Sequence, residues 1–351
     1  MSAQVTIFDV ARLAGVSKGT VDRVLHNRGE VSPETTRKVR AAIAELNYTT
    51  NVYASNLGLR GSRTFAFILP TSKEGEYWHK LSQGVNMASA RLASMNAEVV
   101  TYLFDQYDPS SFESTCKQVL SSNPSGVVMV PLFRKEASEF AGQLMAKAIP
   151  YAFIDTKIDD NGYFAYFGMD MFGSGVLCAA LLTERLDPSE VDRVLVVRVL
   201  RDTKGESDPT LERRQGFAEY ISREFPECVT DTVFVNPSAP DSVNEVLEDY
   251  FTKHPEVKLV VMFNSRVYLL GDYFLSHPDE NRRVVAYDDL DGNFDLLRKG
   301  GVSILICQRT EDMVQKAVAA LADSVLMHSI PQKRDNYVHM EILTKYNIDN
   351  Y

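Results

Sequence analysis

The hydrophobic rhythm of the chain changes twice. From Thr6 to Tyr48 apolar side chains recur every three or four residues, the period of an amphipathic helix. Thr6 is placed to cap a first helix with an inner stripe of Ile7, Val10, Ala11 and Ala14. Gly15 supplies a tight turn, and Ser17 caps a second helix carrying Val21, Val24 and Leu25 inward. Ser32-Pro33, a capping hydroxyl before a proline at the first helical position, starts a third helix. That helix is predicted to bury Val39, Ile43 and Leu46 and to end near Asn47-Tyr48. Three short helices with a glycine turn between the first two predict a helix-turn-helix module.

Residues 49–63 (TTNVYASNLGLRGSR) are polar, hold glycines at 58 and 61, and read as a linker. Val52, Tyr53, Ala54 and Leu57 are spaced to line one or two helical turns, too short a helix to persist alone in water. From Thr64 the period shortens to that of strands: FAFILP, EVVTYLF, GVVMVP, PYAFID, RVLVVRVL, KLVVMFN, RVVAYDD and SILICQ. Amphipathic helical segments such as LSQGVNMASARLASM and SVNEVLEDYFTKH separate them. Strands alternating with helices predict parallel sheets covered on both faces. The rhythm restarts after Gly168-Met169-Asp170, which predicts two lobes of similar build. The fold class expected is an all-α helix-turn-helix head followed by a two-lobed α/β body with parallel sheets.

Charge sharpens this division. The whole chain carries a formal −10. Up to Arg63 nine basic residues face five acidic ones, so this stretch carries +4 and the remainder −14. A basic head on an acidic body is the asymmetry of a DNA-binding module joined to something else. The four cysteines (Cys116, Cys178, Cys228 and Cys307) form no CxxC pair and read as buried thiols of a reducing compartment. The N-terminus lacks the apolar run of a signal peptide and no segment reaches membrane-spanning length, so a cytoplasmic protein without a membrane partner is expected.

Candidate chemistry in the body gathers at strand ends. Asp155 ends PYAFID, Asn264 ends KLVVMFN, Asp288 follows RVVAY and Gln308 ends SILICQ. Open α/β sheets bind ligands at these carboxyl ends. A carboxylate accepts from neighbouring hydroxyls while an amide or guanidinium donates back, the set that a sugar's vicinal diols require. No GxSxG, HExxH or P-loop is present, GMDMFGSG lacks a phosphate-loop context, and the six histidines show no metal spacing. Neither catalysis, metal nor cofactor is predicted.

The stretch VTIFDVARLAGVSKGTVDRVLHNRGEVSPETTRKVRAAIAELNY closely resembles the head of the LacI/GalR family of bacterial transcription regulators. The resemblance runs without a gap through Thr6, Asp9, Ala14, Gly15, Ser17, Thr20, Val21, Arg23, Ser32 and Arg37. The remainder resembles the family's periplasmic-binding-protein-like, ribose-binding-type body. The resemblance implies a DNA-binding head at 1–49, a hinge at 50–63, and an effector-binding, dimerising body at 64–351. Within the body it implies a first lobe of about 64–169 and 309–330, and a second of about 170–308 and 331–351. It further implies that Lys18, Gly19 and Arg23 read bases in the major groove, although Gly19 departs from the usual side-chain donor. Thr6, Ser17, Thr20, Asn27 and Ser32 would contact phosphates, and Leu57 would wedge into the minor groove. Arg213 in RRQGF, and Tyr77 with Trp78 after the first strand, would join the sugar site. Thr156 and Ser265 stand where ribose-type proteins often have arginine and aspartate.

The implied function is a repressor, a homodimer on double-stranded operator DNA, controlled by a sugar that either releases or promotes binding. Alternatives are the same regulator with a non-sugar corepressor such as a nucleobase, a transport-type sugar-binding protein, or a carboxylate-pair enzyme. The tail KYNIDNY shows no heptad leucines, so no appended coiled coil is expected.

Overall fold

Val10, Val21 and Val39 have no exposed surface, and each comes from a different helix: α1 (Ile7–Ala14), α2 (Lys18–Leu25) and α3 (Pro33–Glu45). Ala11, Val24 and Ala42 complete this core, while Ala14, Val16, Leu25, Val31, Ile43 and Leu46 pack on it half-buried. Ala42 therefore takes the buried place beside Val39 that was expected of Ile43 and Leu46. Its small side chain lets α1 approach α3, with which it is in contact. Gly15 sits at φ +65° between α1 and α2, and a Cβ there would meet nothing within 4 Å. The backbone angle, not space, calls for glycine. Ser17 Oγ accepts from the Thr20 amide at 3.1 Å. Ser32 Oγ caps α3 through the Thr35 amide at 3.2 Å, with Pro33 next in chain.

This computed structural model describes residues 7–25, 29, 31–46, 63–93, 97–158, 162–200, 210–327, 329 and 331–351. They form two compact units, the helical head just described and the body from Arg63 onward.

The body holds two six-stranded sheets. The first comprises β1 (Arg63–Pro70), β2 (Ala97–Phe104), β3 (Gly126–Met129), β4 (Tyr151–Ile154), β5 (Ala165–Gly168) and, from far along the chain, β11 (Asp335–Tyr337). Its order is β2-β1-β3-β4-β5-β11, with every pair parallel. The second comprises β6 (Arg193–Val199), β7 (Val229–Val235), β8 (Leu259–Val261), β9 (Arg283–Tyr287), β10 (Ile304–Gln308) and β12 (Met340–Leu343). Its order, β7-β6-β8-β9-β10-β12, repeats that of the first, except that β12 runs antiparallel to β10.

The two-residue period of a strand sorts the second sheet's side chains into two cores. Leu195, Val197, Val260, Val284 and Leu305 enter one, and Val194, Val196, Val261, Val285 and Ile306 the other. Continuous apolar runs are thus the record of a sheet covered on both faces.

Strands β5, β7, β11 and β12 were not among the expected runs. The burial of β7 alternates along an edge of its sheet, and β11 (DNY) is short and polar, so neither makes an apolar run. β11 also corrects the lobe boundary placed at residue 330. It pairs in parallel with β5, from Asp335 opposite Tyr166 to Tyr337 opposite Gly168, so the chain stays with the first sheet through Tyr337. Crossings between the sheets follow β5, β10 and β11.

Candidate functional site

On the head, the side of α2 away from the valine core presents Ser17, Lys18, Gly19 and Arg23, all exposed, with Thr20 half-buried. Ser17 Oγ and Thr20 Oγ1 lie 2.9 Å apart, so both hydroxyls meet at the helix N-terminus, where amides leave room for an anion. Lys18 Nζ stands 5.1 Å from the ring centroid of Phe8, itself 65% exposed. Arg23 folds back so that Nε donates to the Gly19 carbonyl at 3.2 Å. At Gly19 a Cβ would find only Ser17 Oγ, at 3.8 Å. Ser32 is exposed at the start of α3, with Arg37 and Arg40 also exposed on that helix. Thr6, Asn27 and Leu57 lie outside the described residues.

In the body two aspartates occupy matching places. Asp155 follows β4 and Asp288 follows β9, the fourth strands in their sheet orders. Both are left-handed, at φ 68° and 70°, and each amide donates to the next strand: Asp155 to Phe167 at 2.9 Å, Asp288 to Ile306 at 3.0 Å. Such φ values strain a non-glycine residue and concentrate at functional positions. Here the turn aims both carboxyls off the strand ends. Both side chains are buried.

Their partners differ. Tyr77, first residue of the helix Tyr77–Ala93, donates its hydroxyl to Asp155 Oδ1 and receives Gln308 Nε2 at 2.6 Å. This chain joins the two lobes, since Gln308 ends β10. The Tyr166 hydroxyl holds the Asp155 carbonyl at 2.9 Å. Asp288 Oδ1, by contrast, is buried without a hydrogen-bond partner among the described residues, as are Arg213 Nε, Gln308 Oε1 and Asp289 Oδ1. The backbone of Asp288 is well held, because Asn293 Nδ2 donates to its carbonyl at 3.1 Å.

Arg213 reaches this place because two helices cross at glycines. A Cβ on Gly175, in Met171–Leu182, would fall 1.9 Å from the Arg213 carbonyl, and one on Gly216, in Leu211–Glu224, 2.1 Å from that of Phe172. The guanidinium lies 4.2 Å from the Tyr287 ring centroid, and one terminal nitrogen donates to the Phe263 carbonyl at 2.8 Å.

Charge and burial set the titration. Burial raises Asp288 to about 7, Asp289 and Asp155 push the same way, and Arg213 only partly opposes them. Asp155 is also raised by burial, against the hydrogen bond from Tyr77 and the charge of Arg213. Tyr77 is driven well above its ordinary range by burial and then by both aspartates. Burial disfavours the Arg213 charge, yet Asp288 leads the groups that hold it above the usual value.

Five predicted residues (Tyr77, Asp155, Arg213, Asp288 and Gln308) are thus brought together. Trp78 stands beside them, edge-on to Tyr77 at 5.0 Å, with its Nε1 donating to Gln106 Oε1 at 3.3 Å. Asn264 is half-buried, and its Oδ1 accepts the Arg266 amide at 2.9 Å, a turn bond. Sequence reasoning missed Lys80 and Asp289. Lys80 Nζ reaches from the first lobe to the Asp289 carboxylate at 2.9 Å and its carbonyl at 2.6 Å. The spacing of Lys80 three residues after Tyr77, on one helix face, was the available signal. Among the described residues no three His, Cys, Asp or Glu side chains could share a metal, and no helix is long and apolar enough to cross a membrane.

Parallel sheets joined by crossings, with polar side chains converging from strand ends of both, define a two-lobed α/β body of the periplasmic-binding-protein type on a chain that also carries a helix-turn-helix head. Residues 65–326 match the periplasmic binding protein domain, and residues 6–51 match the bacterial regulatory proteins of the lacI family. The chain belongs to the lacI family. It is 29% identical over 164 residues to the HTH-type transcriptional regulator MalR of Streptococcus pneumoniae, covering 45% of this chain and 50% of that one. It is 32% identical over 154 residues to the lactose operon repressor of Escherichia coli, covering 44% and 41%. These matches span half or less of the relatives' own length. A crystal structure from Bacteroides fragilis, assigned to the LacI transcriptional regulators, superimposes with a TM-score of 0.76 at 30% identity, covering 83% of this chain and 99% of that one.

Proposed function

We propose that this chain is a sequence-specific DNA-binding transcription regulator, a homodimeric repressor whose operator affinity is set by a small sugar or sugar derivative held between the body's lobes. The observation that carries the regulatory reading is the outward side of α2, where Lys18 and Arg23 stand exposed with hydroxyls at the helix start. Lysine and arginine there suit guanine O6 and N7 in a major groove, while Ser17, Thr20 and Ser32 position the backbone. The sugar reading rests on buried acceptors left unsatisfied on Asp288, Asp289 and Gln308 at strand ends of the second sheet, beside the unsatisfied Arg213 Nε from a neighbouring helix, which a polyhydroxy ligand would satisfy. The name of one relative, the lactose operon repressor of Escherichia coli, supports the same class.

Ligand seated against Asp288, Arg213 and Gln308 favours one arrangement of the lobes. Any difference in ligand affinity between two arrangements becomes a difference in operator affinity. Selection of random DNA by the full chain should yield a pseudo-palindromic site, because a symmetric dimer reads two half-sites. Adding a sugar found by thermal-shift screening should then change affinity for that site at least severalfold. Selection of no common sequence would overturn the regulatory reading. A thermal shift by nucleobases and by none of the sugars would replace the effector class.

A further inference from the structure

The two lobes meet through bonds that the protein makes with itself. Gln308 of the second lobe donates to the Tyr77 hydroxyl of the first, and Arg266 donates to the Tyr107 hydroxyl at 3.2 Å on the exposed side. Lys80 makes a charged crossing. Its Nζ reaches the Asp289 carboxylate at 2.9 Å and the carbonyl of the same residue at 2.6 Å. The Asp289 side chain is 6% exposed and that of Lys80 24%, so the pair is largely withdrawn from water. Asp289 is in turn fixed to its own lobe. The Tyr351 hydroxyl donates at 3.1 Å to the carboxylate oxygen that Lys80 holds. The Tyr351 ring packs edge-on to Phe294 at 5.6 Å and lies 5.8 Å from the Arg309 guanidinium.

This pair also offsets a repulsion. Asp155 comes from the first lobe, whereas Asp288 and Asp289 come from the second. Closing the lobes gathers these carboxyls in a buried place, where Asp289 and Asp155 push the Asp288 carboxyl up while Arg213 and Lys80 pull it down. Of those two cations Arg213 stands on the second lobe, and Lys80 crosses from the first.

We infer that the Lys80–Asp289 pair is a latch that sets the balance between closed and open lobes, with Tyr351 as its anchor. The latch belongs to the body alone and acts whatever ligand the body takes. In the closed arrangement its charge-assisted bonds lie in a place of low polarity, and opening strips Lys80 of both acceptors. Without Lys80, Asp289 is left beside Asp288 and Asp155 with its facing cation gone, and parting the lobes relieves that. A ligand that prefers one arrangement works with this pair or against it.

The test uses the full chain with no added ligand or DNA, and compares the wild type with Lys80→Met, which keeps the apolar stem and removes the charge. Small-angle scattering reads the radius of gyration. Trp78, the single tryptophan of the chain, reports from beside Tyr77 through acrylamide quenching of its emission. Lys80→Met is expected to move the ratio of closed to open molecules about tenfold toward open, seen as a larger radius and stronger quenching. Lys80→Arg, which can hold the same carboxylate, should stay near the wild type. Asp289→Asn should open the body less than Lys80→Met, because the Asp289 carbonyl still accepts from Lys80. Unchanged far-ultraviolet spectra show which variants fold, and Asp289→Asn carries the test if Lys80→Met does not. Equal radii in the wild type and both charge-removing variants would overturn the latch, since quenching alone reports only loosening around Trp78. A Lys80→Arg protein as open as Lys80→Met would overturn it too, by showing that shape rather than charge holds the lobes.

Discussion

The head and the body place their chemistry in opposite ways. Lys18, Arg23, Ser17 and Thr20 fall within a few positions of one another and stand at the surface, while Val21 and Val24 of the same helix form the core. Tyr77, Asp155, Arg213, Asp288 and Gln308 are spread over more than two hundred positions and are all buried. Surface groups on one helix contribute little to stability and are free to meet a partner. Buried groups from distant segments must satisfy one another or wait for a ligand, and those that wait cost stability. Function and folding are nearly separate in the head and strongly coupled in the body.

That contrast is broken or sharpened first at Asp288. Replacement by alanine should lower affinity for the screened sugar roughly 100-fold or more, as expected for loss of a buried charged partner. Operator affinity without sugar should be unchanged, and calorimetry beside fluorescence anisotropy would check both. Equal sugar affinity in the two proteins would show that Asp288 only shapes the turn after β9.

A second test uses pH. The Asp288 carboxyl is raised from 3.8 to about 7 in the folded body. Below pH 4 folded and unfolded chains both hold the proton, and between about 4 and 7 only the unfolded chain releases it. Stability should therefore fall as pH rises through this window, by on the order of 1 kcal/mol per pH unit for one such group. Urea unfolding of the body at several pH values should show this slope in the wild type and a shallower one in Asp288→Asn. Parallel slopes would mean that Asp288 is not the group responsible.

For the head the expected effects are smaller and divided differently. Arg23→Ala should cost about 1–3 kcal/mol on the selected operator and little on random DNA. The thermal midpoint should stay put, because among the described residues the exposed Arg23 side chain bonds only its own helix's Gly19 carbonyl. Equal weakening on both DNAs would make Arg23 a phosphate contact. The smallest effect belongs to Gly19→Ala, which should stabilise the head by about 1 kcal/mol, since the added Cβ meets open space and helix propensity rises. A loss of stability measured by circular dichroism would show that Gly19 has a backbone role.

The sequence by itself determined what is local. Helix period, the serine caps and the turn at Gly15 mark α1 to α3, because each signal acts within a few residues along the chain. It also determined the α/β alternation and placed Asp155, Asp288 and Gln308 at strand ends, since parallel strands present their carboxyl ends along one edge. Tyr77 and Arg213 were legible only through the family resemblance. Tertiary structure alone decided the rest. β11 belongs to the first sheet through its pairing with β5, although three polar residues carry no apolar signal. Lys80 meets Asp289 across the lobes, a contact between positions 209 residues apart. Above all, Asp155 and Asp288 look alike in sequence and share a backbone turn, yet Tyr77 satisfies one and nothing among the described residues satisfies an oxygen of the other. Which buried oxygen keeps a lone pair to offer depends on what other segments bring to it, and that follows from packing between lobes rather than from the order of residues.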